Sequence, residues 1–591
     1  MIDIAILLVY FGFLIAIGWS FRKFSSNTSD YFRGGGKMLW WMVGSTSFMT
    51  AVSAMTFTGH MGKSLTGGFA VAIVVFYASA LGFLCNYLFF AAKARQMRVI
   101  TPLEGVRMRY GRINEQIMMW SRMPLGILQA AIWVNALGVF ASAVVGVPLE
   151  VTIVVTGGIV VFMSLIGGSW AVIASDFMQM VILTVMTLVT GMVALWKGGG
   201  VVELMSNGLP ENPIIGDGYN YTYLFVGWFL CMFIKQFLTT NNMLSSYRYI
   251  TAKDTKNARK AALLAASLML VGPLVWFLPV WFVSGHYPDP STWGLDGLGN
   301  KVTDATYYIF VKREMPVGMI GLLLAAIFAA TMSSMDSGLN GNSGIVIKSI
   351  YQPYIKKDAS EQHLLKVGKM LTAAFGVVII LSALGLSSLR QYGLFDLTML
   401  INTLIGFPIL IPALLGIYVK KTPEWAVGGT ILVGMCVSAI IAFVITPEMI
   451  ASFLNLDQPL TNREFTEMKS VTLGVVGHGL ITLPFFVCTQ FFYKGLSPER
   501  EKNIEQFFTN IDTEVVVEDT ADSIELDNRQ NKVLGKMLLV AAGFISLLTL
   551  VPNPMWGRSL FLIMSLIVAG IGFALLKAVK EPECKVTMAT D

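Results

Sequence analysis

Five polar side chains lie close together in residues 329–340, AATMSSMDSGLN, within a stretch that otherwise reads as an apolar helix. They are Thr331, Ser333, Ser334, Asp336 and Ser337. Because residues three and four apart share one face of a helix, these oxygens fall on neighbouring turns. A carboxylate inside a membrane helix costs several kcal/mol unless something pairs with it. The stretch therefore indicates a site for a cation or a proton, provided that the helix lies in a membrane.

The composition of the chain places it in a membrane. Of its 591 residues, 55% are hydrophobic and 13% are charged, and the mean hydropathy is +0.67. Apolar runs recur from end to end, each long enough as a helix to cross a core of about 30 Å. About fifteen spans are expected, and fourteen is the alternative, from the runs 2–20, 40–60, 69–92, 118–144, 150–168, 172–196, 223–247, 261–285, 316–350, 367–388, 394–418, 424–446, 468–493, 534–552 and 557–578.

Lysines and arginines are concentrated in alternate connections between these runs. The basic connections are 22–37, 93–112, 248–260, 348–366 and 420–421. Short basic loops mark the cytoplasmic side of a membrane protein. The pattern therefore predicts a multi-pass protein of the cytoplasmic cell membrane, with its N-terminus outside and its C-terminus inside.

Several classes of function find no support in the residues. The chain has no P-loop after a strand, no Ser-His-Asp signature and no metalloprotease motif. Its four histidines are dispersed, and its five cysteines show no disulfide or metal spacing. We therefore expect neither an enzyme nor an ATP-driven pump, and no nucleic-acid partner. The expected partners are the lipid bilayer, an ion and a small solute.

Two polar interruptions, five spans apart, are typical of a secondary transporter. The run 40–60 is crowded with serine and threonine, and the run 223–247 contains Lys235 and two asparagines. Secondary transporters often carry interrupted spans at matching positions of two inverted halves. The spacing predicts a five-plus-five inverted repeat, with one half in 40–196 and the other in 223–418.

The remaining segments flank or interrupt this repeat. Residues 1–39 supply an extra N-terminal helix and an inner loop, and 424–493 supply additional helices. The acidic segment 494–533 reads as a solvated, partly helical cytoplasmic linker, with a regulatory role as the alternative. Residues 534–591 form a C-terminal helical hairpin and tail. The long loop 286–315 is a candidate cap over the outer mouth.

Six stretches carry a resemblance to a known family. They are SDYFRGGGKMLWW (29–41), ITPLEGVRMRYG (100–111), GGSWAVIASDFMQ (167–179), YRYITAKDTKNARKA (247–261), AAIFAATMSS (325–334) and GFPILIPALLGIY (406–418). In this order, over about residues 1–495, they resemble the sodium/solute symporter family, which includes sodium/glucose, sodium/proline and sodium/sialic acid transporters. The resemblance implies an all-α fold of the leucine-transporter type with extra helices, and sodium-coupled alternating access.

The resemblance also assigns a role to the polar stretch. In this family a sodium ion lies between the unwound middle of the first core helix and a hydroxyl pair on the eighth. The implied ligands are the hydroxyls of Ser333 and Ser334 and the carbonyls of Ala330, Met49 and Val52. A one-residue shift in the match would move the last two to Thr50 and Ser53. The alternative without an ion is that the serines bond to the carbonyl one turn earlier.

A second sodium ion is a further implication of the resemblance. Asp176 stands at the acidic position that members with two sodium ions use, and Ser337 fits the same pattern. The alternative is that Asp176 is a structural carboxylate, so one or two ions are expected. Asp336 departs from the family pattern. Together with Asp176 it would bind a cation more strongly or share a proton.

Three residues are candidates for contact with the solute. Lys235 lies about midway along its span, where it either pairs with Asp336 or attracts an anionic substrate. Asn242 aligns with the position that contacts sugar in sugar-transporting members. Thr56 stands where those members have a polar amide, so sugar specificity does not follow.

Together these residues predict sodium-coupled import of a small polar or anionic organic solute by alternating access. The alternative from another class is a transporter-like sensor that relays solute binding through 494–533. No kinase or other output domain is recognisable in the sequence, which favours the transporter.

Overall fold

In the computed structural model of the chain, residues 2–21, 33–166, 169–207, 215–216, 218–387, 394–518 and 520–579 are described. Within these ranges the regular structure is helical, and β pairing is confined to one isolated bridge between Met38 and Ala252. The predicted all-α class is confirmed.

In the first part of the chain, up to residue 207, the described residues form eleven α-helices. They are α1 Ile2–Phe21, α2 Trp40–Ala51, α3 Ala54–Phe57, α4 Gly59–Gly67, α5 Phe69–Cys85, α6 Ala91–Gln96, α7 Pro102–Tyr110, α8 Arg112–Val145, α9 Leu149–Ile166, α10 Ser169–Lys197 and α11 Val201–Asn207. A 3₁₀ turn covers Gly34–Gly36, and a π-helical turn, Asn86–Phe90, joins α5 to α6.

The second part of the chain, from residue 222 onward, is also helical. Its α-helices are α12 Thr222–Thr240, α13 Thr255–Trp276, α14 Leu278–His286, α15 Thr306–Glu314, α16 Met319–Val346, α17 Glu361–Ser387, α18 Leu394–Ile401, α19 Phe407–Leu415, α20 Ala426–Ala439, α21 Pro447–Phe453, α22 Asn462–Glu467, α23 Leu473–Gly477, α24 Leu483–Cys488, α25 Pro498–Asp512, α26 Ala521–Leu547 and α27 Met555–Lys577. The 3₁₀ segments are Met243–Thr251, Pro290–Trp293, Asp296–Ala305, Thr489–Phe492 and Leu548–Leu550, and the π-helical ones are Ile347–Ile355, Asn402–Gly406, Ile440–Val444, Met468–Thr472 and His478–Thr482.

Many of these helices are membrane spans by length and composition. In the described residues, eleven helices are long and apolar enough to cross a membrane, and two shorter apolar helices cover Leu149–Leu165 and Met319–Met335. The run 40–60 is not a single long helix, because it is broken in its middle. The multi-pass architecture is therefore confirmed, whereas the count of fifteen spans stays a prediction.

Both predicted interruptions are breaks in helices. The run 40–60 divides into α2, the single turn α3 and α4. In the run 223–247, α12 ends at Thr240, and after an extended Asn242 the chain continues as a 3₁₀ segment. Because backbone groups at such breaks lose their helical partners, each break exposes oxygens and N–H groups inside the bundle.

Helix α2 lies at the centre of the bundle. It packs against α13, α10 and α16, and α16 also packs against α8 and α10. Gly44 allows the closest of these contacts, because a Cβ atom there would lie 2.9 Å from the carbonyl oxygen of Ala261 in α13. Small residues permit such close approach of membrane helices. The broken helix and the polar stretch of α16 are thereby held side by side.

Five charged or polar side chains, one buried and four half-buried, form a cluster beyond the break, in the half of the bundle where α4 lies. Lys63 Nζ lies 3.2 Å from Asp396 and 3.1 Å from Glu467, whose side chain is buried. Arg463 approaches Glu467 at 3.1 Å, and the Tyr219 hydroxyl donates to Glu467 at 2.6 Å. This Lys63 cluster therefore ties α4 to α18 and α22.

The loop 286–315 lies at the same end. Its 3₁₀ segment Asp296–Ala305 packs against α4 and α8. Trp293 in the preceding turn is buried, and its indole donates to the carbonyl of Tyr287 at 3.2 Å. The loop is thus folded onto the bundle, which is the arrangement expected of a cap.

The acidic segment 494–533 contains the helix α25, most of whose side chains are exposed. This helix buries Ile504, Phe507 and Ile511, which form an apolar stripe at helical spacing and pack toward α6 and α7. Arg500 donates to the last carbonyls of α7, at 3.2 Å for that of Arg109. The following helix begins at Ala521 rather than near residue 534. The apolar stripe therefore packs one face of this charged helix onto the bundle.

Candidate functional site

The break after α2 frees backbone oxygens in the middle of the bundle. Val52 (φ −114°, ψ 135°) and Ser53 (φ −150°, ψ −176°) are extended, and the helix resumes at Ala54. In a continuous helix the carbonyl of Thr50 would accept a hydrogen bond from Ala54. The Ala54 amide instead donates to the Thr331 hydroxyl of α16, at 3.0 Å.

Four carbonyl oxygens converge on the hydroxyl of Ser334. Its Oγ lies 3.4 Å from the oxygen of Met49, 3.3 Å from those of Thr50 and Val52, and 3.2 Å from that of Ala330. A hydroxyl has one proton, so it can donate to only one of these four acceptors at a time. The remaining oxygens form a concentration of negative partial charge, which a small cation can neutralise.

The chemistry of this oxygen set suits Na⁺. Hard cations take carbonyl, hydroxyl and carboxylate oxygens, and unwound carbonyls with helix C-termini hold the coupling ion in transporters. The C-terminal end of α2 is the negative end of its dipole, and it points at the same place. We refer to the carbonyls of 49, 50, 52 and 330 with the Ser334 hydroxyl as the Ser334 cage.

Asp176 of α10 is the carboxylate next to α2 and α16. Its side chain is fully buried, Thr46 donates a short hydrogen bond to Oδ2, and Ser333 lies against the same carboxylate. The second oxygen, Oδ1, accepts no hydrogen bond from the described residues. Arg248 is the nearest cationic side chain that acts on it. A buried carboxylate with an unused oxygen is suited to bind a cation.

The sequence prediction and the structure agree on which residues are brought together. Ser334, Ala330, Met49 and Val52 meet at one point. Thr50, the alternative to Met49, contributes its oxygen to the same set. Ser53, the alternative to Val52, does not, because its carbonyl accepts from the Thr56 amide at 2.9 Å. The side chains of Ser337 and Asp336 lie outside the described part of the chain.

Lys235 is buried in α12, with 1% of its surface exposed. Its Nζ lies 3.2 Å from the sulfur of Met399, and His60 is close enough to interact with its charge. Among the described side chains no carboxylate lies within 4.0 Å of the ammonium group. A lone buried ammonium is costly unless a ligand neutralises it.

The other two solute candidates are engaged in local hydrogen bonds. Thr56 Oγ1 accepts from the Ser53 amide at 3.3 Å, which caps α3. Asn242 caps the 3₁₀ segment: its side chain accepts from the Ser245 amide at 3.0 Å and donates to the carbonyl of Leu238 at 2.8 Å. Their contact with solute stays a prediction.

A cavity of about 310 Å³ opens beside the Ser334 cage. Thr50 and Ser334 form part of its wall, and the wall extends to Thr101 and Arg248, which belong to the basic connections 93–112 and 248–260. We call it the Ser334 cavity. Because its wall includes both sets of residues, the Ser334 cavity connects the Ser334 cage with the end of the bundle opposite the Lys63 cluster.

Aromatic rings fill the bundle between the break and the Lys63 cluster. Neighbouring ring centroids lie between 5.0 and 5.9 Å apart, in a group formed by Phe57, His60, Phe76, Trp276, Tyr307 and Phe395. Ring pairs at these distances are in packing contact, so this side of the break is filled by aromatic side chains. The Ser334 cavity opens on the other side of the break.

Several residues at the site were not found from the sequence. Thr46 is the partner of Asp176, and Arg248 donates from Nε to the Thr50 hydroxyl at 3.2 Å. Both contacts join distant segments, so local patterns do not reveal them. Arg122 in the wall of the Ser334 cavity is different. As a charged residue inside the apolar run 118–144, it could have been noticed.

A family assignment follows from comparison with known proteins. Residues 31–455 match the sodium:solute symporter family. The chain belongs to this family. A sodium/sialic acid symporter of Proteus mirabilis is 26% identical over 453 residues, covering 74% of this chain and 88% of that protein. A sodium/glucose cotransporter of Vibrio parahaemolyticus is 26% identical over 450 residues, covering 71% and 81%.

Solved structures show the same fold. The symporter resembles a Na⁺-coupled sialic acid symporter in a substrate-bound outward-open state, with a TM-score of 0.64, 24% identity, and coverage of 81% of this chain and 96% of that one. It also resembles a nucleobase-cation-symport-1 family transporter in a closed conformation, with a TM-score of 0.51, 14% identity, and coverage of 80% and 98%.

The family membership confirms the resemblance read from the six motifs. The chain is a multi-pass membrane transporter that couples a small solute to sodium, and it is not an enzyme. The fold is that of the inverted-repeat transporters to which it is similar. Family membership alone determines neither the solute nor the residues that bind the ions.

Proposed function

We propose that the symporter binds a sodium ion in the Ser334 cage and imports a small polar or anionic solute with it. The ligands are the hydroxyl of Ser334 and the carbonyls of Ala330, Met49 and Val52, with that of Thr50 beside them, whereas the hydroxyl of Ser333, the other predicted ligand, lies against Asp176. The observation that carries the proposal is the convergence of four carbonyl oxygens on one hydroxyl.

A second sodium ion belongs at Asp176, with Ser333 and Ser337 as its neighbours. The support is a buried carboxylate with one oxygen that has no described hydrogen-bond donor. Ser333 of α16 lies against this carboxylate and is the neighbour of Ser334 in the chain. The two ion sites would therefore be adjacent. The alternative is a single sodium ion. The measured number of Na⁺ ions transported with each solute distinguishes the two.

The number of ions sets how far a solute can be accumulated. At 100 mV inside-negative and a tenfold gradient, one Na⁺ supplies about 2.3 plus about 1.4 kcal/mol, enough for roughly 500-fold accumulation of a neutral solute. A monovalent anion cancels the electrical part, which leaves about tenfold. With two Na⁺ the same anion reaches roughly 5,000-fold. An anionic solute therefore favours the two-ion arrangement.

The experiment that tests this function is uptake by vesicles that contain only the purified symporter. Solutes are first chosen by thermal shift from sugars, carboxylates, amino acids and nucleosides, each with Na⁺ and with K⁺. The relatives named above make N-acetylneuraminate and glucose the first two probes. We expect accumulation above the external concentration only with an inward Na⁺ gradient. Binding without accumulation would contradict transport and favour a sensor acting through 494–533.

Lys235 is proposed to attract the anionic group of the solute rather than to pair with Asp336. Lys235→Met should weaken solute binding at least tenfold while Na⁺ binding stays measurable, because only a solute contact is lost. Asp336→Asn should not restore it. The measurements are expression, Na⁺ binding and uptake in a double-mutant cycle, with Lys469→Met, a half-buried lysine elsewhere, as the control.

The opposite result would support the charge pair. If Lys235 and Asp336 were partners, each single variant would strand one buried charge, whereas the double variant would leave none. Single variants much worse than the double variant would therefore refute the solute role of Lys235.

The orientation and the division of the chain are proposed from the sequence pattern. The N-terminus lies outside and the C-terminus inside the cell membrane, with the two inverted halves in 40–196 and 223–418. The Ser334 cavity then opens to the cytoplasm, and the Lys63 cluster closes the outer end. The structure corresponds to an inward-facing state in this assignment.

A further inference from the structure

Arg122 is a charged side chain within a membrane span that has no partner in the described part of the chain. It lies ten residues after the start of α8 at Arg112, about 15 Å along the helix axis. The side chain is half-buried and lines the Ser334 cavity. Within the described residues its guanidinium makes no hydrogen bond, ion pair or ring contact.

The charge in the Ser334 cavity is one-sided. The described wall contains two arginines, Arg122 and Arg248, and no aspartate or glutamate. Arg248 donates from Nε to Thr50 and its charge acts on the carboxylate of Asp176, although one of its terminal nitrogens has no acceptor among the described residues. Arg122 thus has five N–H donors, and no acceptor for them lies among the side chains that the structure describes. A guanidinium is suited to a bidentate contact with a carboxylate or a phosphate.

Polar groups around Arg122 suit the rest of a small solute. Gln129 lies two turns further along α8, where its amide nitrogen donates to Asn402, and Asn342 of α16 also lines the cavity. A Cβ atom built on Gly126 would lie 3.6 Å from the Asn342 amide nitrogen, so α8 and α16 leave narrow but open space there. Amide and guanidinium groups at this spacing can bind a molecule that has an acidic group and neutral hydroxyls or amides.

We propose that Arg122 binds the anionic group of the solute in the Ser334 cavity, and that the transported solutes are therefore small organic acids. This inference rests on the proposed function, since it names the substrate class of the same pathway. Lys235 lies on the other side of the break and does not line this cavity, so the anionic group would meet Lys235 first, in the solute pocket, and Arg122 afterwards, on the inner path. Arg122 is a specificity-determining residue on the path between the cage and the cytoplasm.

The position of Arg122 also links the solute to the ion. Thr50 and Ser334 lie in the wall of the same cavity, so a bound Na⁺ and a bound anion attract each other there. Without the anion, a sodium ion that leaves the cage enters a space lined by two positive charges. Each ligand therefore favours the presence of the other, and this coupling is reciprocal.

The test measures the charge preference of the cavity without assuming any solute. Gly126→Cys is introduced into the full-length symporter in which the native cysteines are replaced. Its modification rate is measured with an anionic reagent, methanethiosulfonate ethylsulfonate, and a cationic one, methanethiosulfonate ethyltrimethylammonium. The ratio of the two rates cancels changes in the reactivity of the thiol itself, so it reports the local potential.

We expect the anionic reagent to be favoured, and Arg122→Gln to lower the ratio about tenfold. Arg122→Lys should retain most of the preference, and so should Arg112→Gln, which removes an exposed charge from the same helix. A ratio that Arg122→Gln leaves unchanged would overturn the proposal. Because Arg122 has no described partner, the melting temperature of Arg122→Gln should be close to that of the parent.

A second measurement tests the substrate class. In the thermal-shift panel, solutes that stabilise the symporter in Na⁺ should be acids, and N-acetylneuraminate should stabilise it more than neutral N-acetylmannosamine. The extra stabilisation should disappear in Arg122→Gln. Stabilisation by neutral sugars alone would refute the acid class while leaving sodium-coupled uptake intact. If the wild-type symporter shows no sodium-driven uptake, the proposed function is contradicted, whatever the ratio of the two modification rates.

Discussion

Ser334→Ala should raise the Na⁺ concentration that gives half-maximal uptake by about 10- to 100-fold. The substitution removes the hydroxyl on which the carbonyls of Met49, Thr50, Val52 and Ala330 converge. Interactions of a neutral group with a charge are worth about 1.5–3 kcal/mol, and 1.4 kcal/mol is tenfold in affinity. The measurement is initial uptake rate against Na⁺ concentration, and high Na⁺ should restore much of the rate.

A matched control separates loss of a ligand from loss of a buried serine. Ser343 lies in the same helix, is equally buried, and shares a hydrogen bond of 2.9 Å with Thr372. Ser343→Ala should leave the Na⁺ dependence unchanged, even if it lowers expression. An equal shift in both variants, or none in Ser334→Ala, would refute the Ser334 cage as the ion site.

Asp176→Asn should reduce the number of sodium ions moved with each solute from two to one. The reason is that the amide has no charge to hold the second ion, while the Ser334 cage stays intact. For a monovalent acid, net charge movement then disappears, and the limit of accumulation falls by roughly 500-fold at 100 mV. Reversal potentials in vesicles with clamped voltage measure the stoichiometry directly.

Thr46→Val is the control for the geometry around Asp176. It removes the hydrogen bond to Oδ2 but leaves the carboxylate and its charge. We expect it to retain the wild-type stoichiometry with a weaker Na⁺ dependence. A wild-type stoichiometry of one would remove the second site. Poor expression of Asp176→Asn with an unchanged stoichiometry would show that Asp176 is a structural carboxylate.

The sequence predicted the site best where polar side chains recur at helical spacing within an apolar run. The hydroxyls on α16 and the interrupted run 40–60 each carry a local signal, because polar oxygens in an apolar run are costly without a ligand. That signal, with the family resemblance, was enough to bring Ser334, Met49 and Val52 together. The helical class and the two breaks follow from the same patterns of apolar length and polar interruption.

Contacts between distant segments could not be obtained in this way. The hydrogen bond from Ala54 to Thr331 and the pair of Thr46 with Asp176 depend on how three helices pack, and no local period encodes this. The Lys63 cluster likewise joins residues hundreds of positions apart. The packed face of helix α25 was not recognised, because its apolar stripe is short and lies among many charges.

The most direct test of the sodium site is equilibrium binding of radioactive ²²Na⁺ to the purified symporter, compared between the wild type and Ser334→Ala in the absence of solute. If the Ser334 cage holds the coupling ion, the wild type binds Na⁺ saturably, and the variant needs about 10- to 100-fold more Na⁺ to fill that site. Binding isotherms that coincide for the two proteins would contradict it.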